Sequence, residues 1–243
     1  MPNPLITILR RTLFSKNGNL VSLDDPYSVI AHLLRGYHVT GILDAGASRG
    51  HITKRLLKRF PAAHAYAFEP NPLHRDALER YAKEDPRVHP QFLALSDAEG
   101  AIDLHITESP GSTSIFKPGA RLKEMYPKEA RVRTVEQVRT VTIDGWVKQN
   151  GSPEIQVMKF DIQGGELRAL TGGTQTLQAS TLLIYIEILF NSLYEGGALF
   201  AELDLLLRKS GFVLYNIYKP KCDQRGLLMW GNAIFAHSER LRI

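Results

Sequence analysis

The sequence predicts an open α/β sheet, mostly parallel, with helices on both faces. Three observations carry that expectation. Short apolar runs alternate with amphipathic stretches from Thr40 onward. A glycine-containing turn, Asp44-Ala45-Gly46-Ala47-Ser48-Arg49-Gly50, follows the apolar run Gly41-Ile42-Leu43. An acid, Glu69, ends the next apolar run, Ala65-Tyr66-Ala67-Phe68, and leads into Pro70-Asn71-Pro72. A turn and an acid at the ends of successive strands are how parallel sheets hold a ribose-bearing ligand.

The elements follow in order. Leu5, Ile6, Ile8, Leu9, Leu13 and Phe14, interspersed with Arg10, Arg11 and Lys16, read as an amphipathic helix that packs on the domain or a partner rather than as a signal peptide. Residues 1–39 are expected to form an N-terminal helical extension, and 40–243 the sheet domain. Strands are predicted at Thr40–Asp44, His64–Glu69, Val88–Leu95, Ile155–Asp161, Leu182–Ile188, Phe212–Ile217 and Gly231–His237. Helices are predicted at His51–Phe60, Pro72–Lys83, Gly165–Thr171 and Leu199–Ser210. The last carries Leu199, Leu203, Leu206 and Leu207 on one face and stops at Gly211. An insert at about 101–143 contains two alternating stretches, Ile102–Ile106 and Val138–Ile143. Between them a long segment, Glu108 to Pro127, is punctuated by Pro110, Gly111, Pro118 and Gly119, and long segments of this kind often cover substrates.

The turn spacing bears on the ligand. The dinucleotide fingerprint is G-x-G-x-x-G, with a pyrophosphate at a helix N-terminus. Here the pattern is D-x-G-x-x-x-G, and Asp44 places a negative charge beside the turn. That charge suits a cation, and S-adenosylmethionine carries an ammonium and a sulfonium. A strand-to-helix turn without any ligand is the plain alternative, which the matching Glu69 weakens.

A chain of 243 residues accommodates one large α/β domain. Hydrophobic residues make up 44% and charged residues 23%, the balance of a soluble globular protein. The net charge of +5 comes from dispersed Lys and Arg without aromatic interleaving, which argues against specific nucleic-acid binding. Cys222 is the only cysteine, so no internal disulfide forms and a reducing compartment, the cytoplasm, is expected. No apolar run approaches the roughly 20 residues that cross a bilayer. Homo-oligomer formation is left open.

A third segment, Lys159-Phe160-Asp161-Ile162-Gln163-Gly164-Gly165-Glu166, follows a buried strand and falls at the sheet edge where ligands lie. Lys159 and Asp161 are two apart and are expected to share one side of the strand as an ion pair. Glu166 opens the next helix, where an acid is favourable for the dipole alone. Glu187 is a charge within the apolar run Leu183–Ile188, a pattern that marks a site or a buried pair.

Together these segments resemble the FkbM family of S-adenosylmethionine-dependent methyltransferases. The pieces are the Asp44–Gly50 turn, Glu69–Pro72, Ala94-Leu95-Ser96-Asp97, Thr140–Trp146, Lys159–Leu167 (similar to the family's K-x-D-x-E-G-x-E-x), Asn191–Gly196 and Gly231–Phe235. The resemblance implies a class I methyltransferase fold: a Rossmann-like, seven-stranded, mostly parallel sheet with one antiparallel strand. It also implies methyl transfer to a hydroxyl of a sugar, glycan or secondary metabolite. By that likeness Asp44, Gly46 and Gly50 line the methionine part of the cofactor, Glu69 binds the ribose, and Ser96 and Asp97 lie near the adenine. Asp161 would sit beside the transferring methyl as the base, ahead of Glu187, with Lys159, Glu166 and Glu187 supporting it or contacting substrate. His51 and His105 are weaker candidates, and no metal ligands are assigned. Gln163 departs from the pattern, since the family commonly has a glutamate there. The motif N/D-P-P-Y/F of nitrogen methylation is absent, which favours an oxygen acceptor. A nicotinamide-dependent oxidoreductase and a non-catalytic binding module remain the alternative readings.

Overall fold

A computed structural model describes residues 21, 22 and 24–243. The expected helix at Leu5–Phe14 lies outside the described residues. Within the stretch expected as a helical extension, Val21–Ser22 is a short strand, and it is followed by α1, Pro26–Leu33, whose N-terminus Asp25 caps by accepting the Ser28 N–H at 3.1 Å.

The main sheet is built from β1 (Val21–Ser22), β2 (Gly41–Ala45), β3 (His64–Phe68), β4 (Val88–Gln91), β8 (Val157–Phe160), β9 (Leu183–Leu189), β10 (Phe212–Cys222) and β11 (Leu228–His237). Its order is β1-β10-β11-β9-β8-β2-β3-β4. Every pairing is parallel except the two made by β11. Setting aside the two-residue β1, this is a seven-stranded, Rossmann-like sheet with one antiparallel strand. Both faces are covered, so successive strand residues are apolar yet serve different cores. Leu43, Met158, Ile184 and Phe235 enter one cluster with Trp146, Leu170 and Leu207, whereas Ile42, Val157, Leu183 and Ile234 enter the other with Ile30, Leu56 and Leu57.

The helices that follow the strands are α2 (His51–Arg59), α3 (Arg75–Glu84, after a single turn of 3₁₀ helix at Pro72–His74), α6 (Glu166–Thr171), α7 (Thr174–Ala179) and α8 (Phe200–Lys209). On α8, Leu203 and Leu207 are buried as the spacing predicts. β10 and β11 run longer than predicted, forming a hairpin that reaches past the sheet, with register shifts at Tyr218/Lys221 and Lys221/Cys222 beside Lys219 (φ +49) and Pro220.

The predicted strand Val88–Leu95 is not one element. β4 stops at Gln91, and Ala94–Leu95 forms β5 in a second sheet of order β5-β7-β6, with β6 at Gly100–Thr107 and β7 at Val132–Val141. The break falls at Phe92 and Leu93, which leave the ladder to pack on separate apolar clusters. Pro90 is tolerated because β4 is the edge of the main sheet. The insert is thus a β6–β7 hairpin joined by α4 (Ala120–Met125), followed by α5 (Ile143–Gln149), with a last short helix, α9, at Ser238–Leu241. No helix among the described residues is long and apolar enough to cross a membrane.

Candidate active site

The turn after β2 is held from beneath. Asp44 is fully buried, its Oδ1 3.1 Å from Lys159 Nζ and its Oδ2 accepting the Thr53 hydroxyl at 2.6 Å. Lys159 Nζ also donates to the carbonyls of Ala45 at 3.2 Å and Gly46 at 2.8 Å. Two of the three N–H groups of the ammonium thus go to carbonyls, and Asp44 Oδ1 is held by charge rather than by a hydrogen bond. Burial pulls the Lys159 amine down, but the Asp44 charge, joined by Asp161 and Glu69, outweighs it and keeps the amine above its ordinary value. One expectation therefore needs correction: the partner of Lys159 is Asp44 rather than Asp161. Neither Asp44 nor Lys159 lines the cleft described below. Asp161 lies beyond the end of β8, where strand parity no longer applies.

The glycines serve the backbone. At Gly46 (φ +72) a Cβ would overlap the Asp161 carbonyl, so this glycine lets the β2 and β8 ends meet. Gly50 (φ +80) starts α2 in the left-handed region, and a Cβ there would stand 2.6 Å from the Tyr81 ring. Gly46 borders the cleft described next, whereas Gly50 faces α3 and is not part of it.

A cleft partly open to solvent lies over the carboxyl ends of β2, β3 and β8. Glu69 is among the residues that line it. Its Oε2 accepts the Ser48 N–H at 2.8 Å and its Oε1 the Asn71 N–H at 2.9 Å. Burial raises the Glu69 carboxyl, and those two N–H groups act against the shift. Ser48 (φ +51) and the buried His74, which lies 3.3 Å from Ser48 Oγ through Nε2, line the cleft as well. Sequence reasoning missed both. The apolar wall is Phe68, Leu93, Ala94, Leu95, Leu104 and Ile115. Ser96 and Asp97 are not in that wall. Ser96 Oγ turns to Asp97 Oδ1 at 2.9 Å, and the Ser96 carbonyl packs on Gly172. The residues of that segment which face the cleft are the apolar ones just before them.

Asp161, which is exposed, borders the same cleft with Ile162 and Gln163. Glu166 is buried beneath the loop, its two oxygens accepting the N–H groups of Ile162 and Gly164, each at 2.8 Å. Burial pushes its carboxyl up to about 7 despite those donors. Glu166 thus fixes the loop that presents Asp161 and is not among the residues that line the cleft. Glu187, within β9, is buried and held well above the usual carboxylate range, first by burial and then by the Asp161 and Glu166 charges. Gln163 Nε2 donates to Asp161 Oδ1 at 2.6 Å and to Glu187 Oε2 at 2.9 Å. Tyr194 donates to Gln163 Oε1 at 2.5 Å. Tyr194 was legible only as part of a resemblance. The insert contributes Pro110, Gly111, Thr113 and Ser114 to the lining of the cleft, and Ser114 Oγ donates to the Gln163 carbonyl at 2.7 Å. His51 is exposed outside the cleft, and His105, next to the cleft-lining Leu104, borders a separate hollow with Lys117 and Glu195.

A family model described as the methyltransferase FkbM domain matches residues 44–214. The chain belongs to this family. Among curated proteins it is 33% identical over 173 residues to 2-O-methyltransferase NoeI of Sinorhizobium fredii (strain NBRC 101917 / NGR234), covering 68% of this chain and 70% of NoeI. It is 26% identical over 195 residues to methyltransferase sdnD of Sordaria araneosa, covering 70% of this chain and 73% of sdnD. A solved structure, methyltransferase FkbM from Methylobacillus flagellatus KT, superposes with a TM-score of 0.53 at 15% identity over 88% of this chain. This chain spans 48% of that one, and the likeness shows the shared fold. The chain is therefore a methyltransferase of the FkbM family, and hydride transfer to nicotinamide gives way as a reading of its turn.

Proposed function

We propose that this FkbM methyltransferase moves the methyl group of S-adenosylmethionine to a hydroxyl oxygen of a small-molecule or glycan acceptor. The observation that carries the reading is that Glu69 and Asp161 line one and the same cleft, together with a set of apolar side chains. The residues fit the donor. Glu69 is fixed by two backbone N–H groups and keeps further lone pairs for ribose hydroxyls. Phe68, Leu93, Leu95 and Leu104 offer a dry face to an adenine ring. The negative charge that suits a sulfonium comes from Glu69 and Asp161, since that of Asp44 is neutralised by Lys159.

When bound, the donor supplies a methyl carbon activated by positive sulfur. The chain aligns the acceptor oxygen with that carbon and excludes water with the insert that lines the cleft. Asp161, its Oδ1 fixed by Gln163, would take the proton of the acceptor hydroxyl. The 2-O-methyltransferase relative supports an oxygen acceptor. The test is incubation of the protein with methyl-labelled donor and a panel of hydroxyl-bearing sugars, glycans and metabolites. An O-methylated product in at least one case is expected, and label appearing solely on nitrogen acceptors would overturn the reading.

A further inference from the structure

Two carboxylates, Asp161 and Glu187, converge on one atom, Gln163 Nε2, at 2.6 and 2.9 Å. An amide nitrogen carries two N–H groups, and each goes to a different carboxylate. The amide oxygen is fixed as well, by the Tyr194 hydroxyl at 2.5 Å, which sets the orientation of the amide. The main chain of Gln163 is in the left-handed region at φ +57, a conformation unfavourable for a residue with a side chain. The Ser114 hydroxyl secures its carbonyl there. The charges facing this point are Asp161 and Lys159 from β8 and its end, Glu166 from α6 and Glu187 from β9, with the Tyr194 hydroxyl beyond β9. Paired carboxylates repel unless a proton, a metal cation or a donor stands between them. Here a neutral donor stands between them.

We propose that Gln163 is a positioning residue of the methyl-transfer site, its side-chain amide spanning Asp161 and Glu187 in the place a divalent cation would take. The two carboxylates are thereby held for catalysis without a metal. A glutamate at this position would remove both donors and add a third carboxylate, leaving a group of oxygens that a hard cation binds well. The inference rests on the reading of Asp161 as the base, but its test uses free protein and no methyl transfer, so the two fail separately.

The experiment has two measurements. Mn²⁺ titration followed by electron paramagnetic resonance is run on wild type, Glu187→Gln, Gln163→Glu and the Gln163→Glu/Glu187→Gln double variant. Gln163→Glu should gain one site at least tenfold tighter than anything in wild type, and the double variant should lose it. Proton–nitrogen NMR of wild type, with the signal assigned by its loss in Gln163→Met, should show two separate side-chain amide protons at position 163, shifted downfield and slow to exchange. Wild-type Mn²⁺ binding that vanishes in Glu187→Gln would overturn the proposal, as would a folded Gln163→Glu with no new site. If Gln163→Glu does not fold, the NMR measurement decides. A protected amide pair supports the bridge, and a freely exchanging one refutes it.

Discussion

Lys159 and Asp44 are direct partners across β8 and β2, and their charged atoms meet at 3.1 Å in the buried interior of the sheet. The same ammonium ties down the carbonyls of Ala45 and Gly46, so one buried charge pair sets the path of the turn that borders the cleft. Removing one member leaves the other unpaired in a low-dielectric interior.

Lys159→Met is therefore expected to destabilise the protein by about 3–5 kcal/mol, and Asp44→Leu by a similar amount. The double variant should cost less than the sum of the two. Urea unfolding of all three measures this, and additive losses would show that the pair is not coupled.

Glu166 gives a pH signature. Its carboxyl is raised in the folded protein to about 7 from an ordinary value of 4.5. The folded state holds its proton more tightly, so the stability it contributes is full below about pH 4.5 and is lost as pH rises to about 7. The stability difference between wild type and Glu166→Gln should fall across that window and level off above it. A difference that is flat from pH 4.5 to 7, followed by urea unfolding, would contradict the assignment.

Gly50→Ala places a methyl against the Tyr81 ring at a φ of +80. A loss of about 1–3 kcal/mol is expected, with binding in the cleft retained. Gly46→Ala, which meets the Asp161 main-chain carbonyl instead of a movable side chain, should cost more and should also weaken binding. Thermal unfolding and ligand titration of both variants separate the two cases.

Much of the architecture was legible in the chain because apolar runs, turns and acids sit at strand ends, where parity and spacing carry meaning. Glu69 and Asp161 were found in this way. The facing of Asp44 and the partner of Lys159 were not, because they depend on which strands become neighbours: β8 lies more than a hundred residues from β2 in sequence yet pairs with it. The extent of β8 mattered too, since a strand ending at Phe160 releases Asp161 from the side that Lys159 occupies. Ser48 and His74 carry no pattern of their own, and only the folded cleft gathers them, while the contact of Tyr194 with the Gln163 amide depends on the fold. The break between Gln91 and Ala94 was hidden because both halves read as strand and pair in different sheets.

Asp161→Asn keeps the shape of the side chain and removes the basic oxygen. With an acceptor in hand, turnover is expected to fall on the order of a hundredfold or more, while affinity for S-adenosylhomocysteine changes little. Near-normal turnover would move the base to Glu187 or leave alignment alone as the source of rate.

Calorimetric titration of wild type and Glu69→Ala with S-adenosylhomocysteine tests the central claim most directly, because Glu69 is fixed in the cleft by Ser48 and Asn71 whether or not an acceptor is known. Wild type should bind, and Glu69→Ala should bind more weakly by about 1.5–3 kcal/mol through loss of charge-assisted hydrogen bonds to the ribose. No binding by folded wild type, or equal binding by the two proteins, would contradict the account.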